Sequence, residues 1–249
     1  MATSSLFTAM AGLEAASSEL ETVSENVGNT NTIGYAAAET AALALPYSGE
    51  DSLPGADVTP LDEGTDPAEG PMQRTGAPLD HAVSGGWLLV QTPDGGVALT
   101  RNGALQQGAD GLLETKSGDP VLDVNQLPIS LPALKDLQVS SNGTISGIPA
   151  NSESQQTTVY ATLYLAATPQ DSRLVPLGGT LYGLQGDVQP SQAANASVMQ
   201  GYLEGSNVDP VQSMVEMISG THSFQLLSQV VAGSSSADQS LNQVLATTS

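Results

Sequence analysis

The side chains best suited to acid–base chemistry near neutral pH are two histidines, His81 and His222, far apart in a sequence of 249 residues. Neither has a second histidine at metal-ligand spacing. Cysteine is absent, which removes thiolate nucleophiles, cysteine-ligated metal and disulfide staples. Ser84-Gly85-Gly86 is not framed as a Gly-x-Ser-x-Gly nucleophile elbow, and no Gly-x-x-x-x-Gly-Lys phosphate loop occurs. What remains is carboxylate. Glu50, Asp51, Asp57, Asp62, Glu63, Asp66 and Glu69 form the densest acidic group, and paired carboxylates hydrolyse glycosides. One reading is therefore a secreted carbohydrate-active enzyme working on peptidoglycan or polysaccharide. The other is a solvated linker, since these acids are interspersed with Gly and Pro and lack the Asp-x-Asp-x-Asp-Gly spacing of a calcium loop. The linker reading fits the residues better, so no catalytic residue, cofactor or metal is expected.

Charge narrows the partners. The formal net charge is −21, from 26 acidic against 5 basic residues. Nucleic acid and anionic membrane surfaces are thereby disfavoured, because both need clustered Lys and Arg. The five cations are Arg74, Arg101, Lys116, Lys135 and Arg173, so both ends of the chain lack basic side chains altogether. The start, Met1-Ala2-Thr3-Ser4-Ser5-Leu6-Phe7, has neither the positive n-region nor the apolar run of a cleaved signal peptide. No stretch of about 18 apolar residues is present, so membrane insertion is not expected.

The elements that frame these residues are legible from periodicity. Leu6, Met10, Leu13, Ala16, Leu20, Val23 and Val27 recur at steps of four and three, which predicts an amphipathic helix near 4–27. Glu14, Ser18, Glu21 and Glu25 fall on the other side with no cation to pair with, so the helix must be stabilised by burying its stripe. Gly28 and the Asn/Thr cluster after it are expected to end the helix, with Gly28 as the C′ residue. Pro46 to Pro78 reads as an extended Gly/Pro-rich acidic connector. From about 75 to 190, turn signals every eight to ten residues predict a β domain. Its strands include Trp87-Leu88-Leu89-Val90, Val97–Thr100, Leu112–Thr115 and a long one from Thr157 to Ala166. A second helix is predicted from Pro210, with Asp209 as N-cap and Gln212 closing a capping box. Val211, Met214, Val215, Ile218 and His222 share one arc of it, while Phe224, Leu227 and Val231 lie well round, so this helix needs apolar partners on more than one side. Gly233-Ser234-Ser235-Ser236 is expected to interrupt it.

The fold class expected is α+β, with terminal amphipathic helices bracketing a mainly-β central domain. The boundaries are an N-terminal helix and turn at 1–35, an extended connector at 36–74, a β-rich domain at 75–197 and a C-terminal helix at 198–249. The terminal stripes have two uses open to them: pairing with each other as an ordinary helical hairpin, or packing against other subunits.

Several motifs stand in a fixed order along the chain. They are Gly12-Leu13, Asn26-Val27-Gly28-Asn29 with Thr32 and Gly34-Tyr35, then Pro78-Leu79-Asp80, Gly85-Gly86-Trp87 and Thr100-Arg101-Asn102-Gly103. Last come Gly201-Tyr202-Leu203-Glu204-Gly205-Ser206-Asn207-Val208-Asp209, Met214, Met217-Ile218 and Phe224. This series resembles the flagellar rod and hook axial proteins over nearly the whole length. Trp87-Leu88, where the distal rod type usually has two Phe, is closer to the proximal rod type, with the distal type as the alternative within the class. Gly28 stands where the family usually has Ala, and Ala36 where a basic residue is common. The resemblance implies a structural subunit, not an enzyme, exported by the flagellar type III route without a cleaved signal peptide. It would sit in the periplasmic rod of the basal body, where coiled-coil-like helix packing builds a torque-transmitting tube needed for motility. Its partners would be other rod subunits, proximal and distal, further copies of itself and the export apparatus. The assembly interface implied comprises Leu6, Met10, Leu13, Leu20, Val23, Val27, Asn29, Gly34, Leu203, Asn207, Val208, Val211, Met214, Met217, Ile218 and Phe224.

Overall fold

The structure is a computed structural model that describes residues 2–46, 56–151, 156–167, 173–186 and 188–247; the side chains of 2–8, 41–46, 56–63 and 234–247 fall outside it. The chain divides into two compact units. The first contains Met1–Gly28, Ala38–Glu63 and Asp209–Ser249, and the second Asn29–Ala37 and Gly64–Val208.

The first unit is built on two helices, α1 (Ala2–Gly28) and α2 (Pro210–Thr247), with the strands β1 (Ala38–Pro46) and β2 (Ala56–Thr65) forming a two-stranded sheet within the segment read as connector. The Asp209 carboxylate accepts the N–H groups of Val211 and Gln212, at 2.8 and 3.1 Å, as the predicted N-cap. The capping box does not form: the Gln212 amide donates forward to Glu216 at 2.8 Å instead of back to the cap. Helix α2 also continues through Gly233-Ser234-Ser235-Ser236, where an interruption was expected. Gly costs a helix only about 1 kcal/mol and Ser less, and without proline no backbone hydrogen bond has to be given up. Gly28 is the last residue of α1 and is not left-handed; the left-handed turn falls at Gly34, with φ +69°.

The second unit is a β structure. Its strands are β3 (Met72–Arg74), β4 (His81–Ser84), β5 (Trp87–Gln91), β6 (Val97–Thr100), β7 (Leu105–Gln107), β8 (Leu113–Thr115) and β9 (Leu134–Val139). They continue with β10 (Thr144–Pro149), β11 (Thr158–Thr162), β12 (Leu165–Ala166), β13 (Leu174–Gly178), β14 (Leu181–Leu184), β15 (Ser197–Gln200) and β16 (Tyr202–Glu204). The largest sheet runs β12-β5-β6-β14-β13, and β11-β10-β9 form a second. The Pro93-Asp94-Gly95-Gly96 turn joins β5 to β6 with Gly95 at φ +81°, as its composition requires. Two apolar clusters fill the interior. One is built round Leu88, Val90, Leu113, Val121, Ile145 and Leu163, and the other round Trp87, Leu89, Leu99, Tyr164 and Tyr182.

The long strand expected from Thr157 to Ala166 is two strands in different sheets. Leu163 and Tyr164 cross between them, their N–H groups donating to Gly143 and Leu122 at 2.9 and 3.0 Å. Val159 is accordingly exposed while Leu163 and Leu165, on the same alternation, are buried. The stretch 198–208, read with the C-terminal helix, belongs to the β unit: β15 pairs with β4 and β16 with β3.

Candidate functional site

Within the first unit, the helices pack antiparallel. Gly12 lies against Leu227, and Gly220 against Leu20, close enough that a Cβ on Gly220 would meet the Leu20 side chain at 2.9 Å. On α2 the face turned inward is Ser213, Met217, Gly220, Phe224, Leu227 and Val231, a succession of four- and three-residue steps. On α1 it is Leu13, Ala16, Leu20, Val23 and Val27. This leaves the other arc of α2 uncovered. Val211, Met214, Val215 and Ile218 are 71, 55, 62 and 62 % exposed, and Leu226 and Val230 are exposed beyond them. Large apolar side chains thus lie on both faces of α2, with Ser213 and Gly220 letting the inner face approach α1 closely. His222 is exposed on α2, next to this arc.

Helix α1 also holds β1. The buried Asn26 amide donates to the Ala38 carbonyl and accepts the Ala38 N–H, both at 2.9 Å, so one side chain stands in for a neighbouring strand. Thr22 hydrogen-bonds Ser18 at 3.1 Å and also the Thr40 hydroxyl.

Within the β unit, the segments by which the chain enters and leaves come together at one place. Asn207 ties its own segment to two others. Its Oδ1 accepts the Ala37 N–H at 2.7 Å, its Nδ2 donates to the Asp66 and Ala68 carbonyls at 3.2 and 3.1 Å, and its own N–H donates to Tyr35 at 3.3 Å. The Asp66 N–H reaches the Ala37 carbonyl at 2.8 Å, and the Gly34 N–H the Glu204 carbonyl at 2.9 Å. Gly34 is pressed so closely on the Arg101-Asn102 backbone that a Cβ would come within 2.3 Å of the Asn102 nitrogen.

Beneath them lies a buried ion pair. Arg101 Nη1 is 3.1 Å from Glu204 Oε1, with the two side chains 4 and 2 % exposed. The same guanidinium donates to the Ala68 and Pro67 carbonyls at 2.7 and 2.8 Å, and its carbon sits 4.2 Å over the Trp87 ring. The Gly70 N–H donates to Glu204 Oε1 at 2.9 Å. Burial pushes the Glu204 carboxyl above its ordinary 4.5 against the pull of Arg101 and the Gly70 N–H, with nearby Glu69 adding to the rise. Glu69 itself takes the Ser84 hydroxyl and the Gly85 N–H, the latter at 2.6 Å. His81 is buried with its Nδ1–H assigned to the Leu79 carbonyl at 2.8 Å, and its Nε2 has no partner among the described residues. Burial holds its imidazole below the ordinary 6.5, although Leu79 and Asp80 favour the charged form.

The sequence-predicted interface residues are thus divided. Met10, Val211, Met214 and Ile218 are exposed, while Leu13, Leu20, Val27, Met217 and Phe224 are half-buried and Val23 buried. Gly34, Leu203 and Val208 are buried within the β unit, Asn207 ties its crossings, and Asn29 is held to Thr32 at 2.9 Å. The Leu6 side chain lies outside the described residues, as do the side chains of Glu50, Asp51, Asp57, Asp62 and Glu63. Asp66 accepts the Ala68 N–H at 2.9 Å, a local turn bond. Sequence reading missed Asn26, Arg101 and Glu204 as organising side chains. The signal for Arg101 was its rarity, as one of five cations in a strongly acidic chain. Among the described residues no cluster of His, Asp and Glu is arranged to hold a metal ion.

Comparison with known proteins covers the parts just described. Residues 82–147 match the family described as flagellar hook protein FlgE/F/G D1 domain. Residues 199–244 match the family described as flagellar basal body rod FlgEFG protein C-terminal. The flagellar basal-body rod protein FlgF of Escherichia coli strain K12 is 31 % identical over 96 % of this chain and 97 % of its own length. FlgF of Salmonella typhimurium is 29 % identical over the same shares. FlgG of Buchnera aphidicola subsp. Acyrthosiphon pisum is 28 % identical over 96 % of this chain and 99 % of its own. With a relative so similar from end to end, and both matched segments falling in the expected order, the chain belongs to the FlgF-like flagellar basal-body rod proteins.

Proposed function

We propose that the chain is a structural subunit of the flagellar basal-body rod, of the proximal type, which assembles through its terminal helices into a torque-transmitting helical tube. The single observation that carries this is the uncovered arc of α2. Val211, Met214, Val215 and Ile218 expose a continuous apolar strip on a helix whose other face is already packed. An exposed apolar strip of this kind marks a surface that a second partner covers. The inner seam proposed combines Met214 and Ile218 of that strip with Leu6, Leu13, Leu20, Val27 and Phe224 of the terminal helices, while Gly34, Leu203, Asn207 and Val208 are proposed to act from within the β unit. The partners proposed are other rod subunits, proximal and distal, and further copies of the chain. Export is proposed to follow the flagellar type III route, ending in the periplasmic rod, and no enzymatic role is assigned.

The test is complementation of a strain deleted for the gene. Val215→Asp and Ile218→Asp together are expected to give folded, exported protein, no hook and no swimming. Normal motility with both aspartates in place overturns the helix-packing reading. Locating where basal-body assembly stops in the deletion strain separates the proximal from the distal position.

A further inference from the structure

We propose that the Arg101–Glu204 pair closes a clasp, so that residues 34–37, 66–70 and 204–207 order and open together as one element of the β unit. The inference concerns this unit alone and stands whether or not the helices pack as proposed above.

The segment 66–70, Asp-Pro-Ala-Glu-Gly, carries no large apolar side chain, so polar contacts must hold it. Two of its carbonyls are taken by the Arg101 guanidinium, and a third contact, from Gly70, ends on Glu204. A planar fork with five donors can bind two successive carbonyls and a carboxylate at once; an ammonium cannot. The remaining links run through the chain at and just after Glu204. Gly34 is bonded to the Glu204 backbone, and Asn207, three residues on, holds Ala37, Asp66 and Ala68. Losing one member leaves the other's buried charge unpaired and disturbs the bonds to Pro67, Ala68 and Gly70 together, which is the physical basis of cooperative opening.

The pair is better suited to coupling than to raising stability. Among the described residues, Glu204 Oε2 and Arg101 Nε are both buried without a partner. A desolvated ion pair with unsatisfied atoms contributes little net stability, yet removing one partner is costly. What it secures is that the N-terminal, connector and C-terminal segments cannot settle separately.

The test is residue-by-residue amide exchange by NMR on the full chain, comparing wild type with Arg101→Met and Glu204→Gln. In Arg101→Met the amides of Gly34, Ala37, Asp66 and Gly70 are expected to exchange at least about tenfold faster by a common factor, while Leu113 and Val121 change less than about twofold. Glu204→Gln, which keeps an oxygen for Gly70 and Arg101, is expected to move the same four amides together by a smaller factor. Acceleration confined to Gly70 overturns the clasp, because the effect is then local. Equal acceleration of Leu113 and Val121 also overturns it, because the segments are then part of the core. If Arg101→Met does not fold, the pattern in Glu204→Gln decides alone.

Discussion

His81 and Glu204 are both buried titratable groups in the β unit, and they pull stability in opposite directions with pH. The imidazole is lowered in the folded state, so an unfolded chain binds a proton at about 6.5 that the folded chain refuses. Its contribution is complete above that value and is lost as pH falls below it. The Glu204 carboxyl is raised, so its contribution is complete below 4.5 and is lost as pH rises through the higher folded value. Urea midpoints of the wild type, followed by the fluorescence of the single tryptophan, Trp87, are therefore expected to fall between pH 7 and pH 5 by more than those of His81→Gln. Identical slopes would show that the imidazole takes up its proton in place. Glycine supplies a second contrast at this scale. Gly34→Ala places a side chain at φ +69° and drives it into the Asn102 backbone, so its cost should exceed the 1–2 kcal/mol or so of a left-handed residue alone. Gly28→Ala meets nothing within 4 Å in a helical residue and is expected to be neutral or stabilising by up to about 1 kcal/mol. Thermal melts of the two variants decide it.

At the scale of elements, helix α2 separates stability from assembly by face. Ile218 points away from its own chain, so Ile218→Asp is expected to change unfolding stability by no more than about 0.5 kcal/mol while abolishing motility. Gly220→Val acts on the opposite face, where a Cβ would meet Leu20 at 2.9 Å, and overpacking there costs about 1–3 kcal/mol. If Ile218→Asp proves as damaging to the isolated protein as Gly220→Val, the outer arc is not free. Periodicity revealed both stripes of this helix and the N-cap at Asp209, because a helix period and a cap are local properties of spacing. It did not reveal which stripe turns inward. That depends on how closely two helices approach, and small residues at Gly12, Ser213 and Gly220 permit a contact that the larger Val211 and Met214 do not. The split of Thr157–Ala166 into two strands was hidden for a related reason: alternation persists through Leu163 and Tyr164 although the sheet changes.

For the molecule as a whole, charge governs encounter. A net −21 makes copies repel one another, and no cation lies in the first 73 or last 76 residues to relieve that at the terminal helices. Association of the purified chain is therefore expected to strengthen as salt is raised from about 10 mM to about 150 mM, as the screening length falls from about 30 to about 8 Å. Sedimentation velocity reads this directly; association that weakens with salt would point to ion pairing as the driving contact. Composition alone determined the broad character of the chain. With no cysteine, disulfides, thiolate nucleophiles and cysteine-ligated metal are excluded by composition alone. The order of the end motifs brought the family within reach, since motifs are read along the chain. Only the tertiary structure decided that Arg101, Glu204 and Asn207 tie together the segments at 34–37 and 66–70, because their partners are distant in sequence; Arg101 meets Glu204 across 103 residues. Spacing records which residues share a face of one element. It does not record which distant backbone groups a buried side chain must satisfy, and that is settled when the strands close.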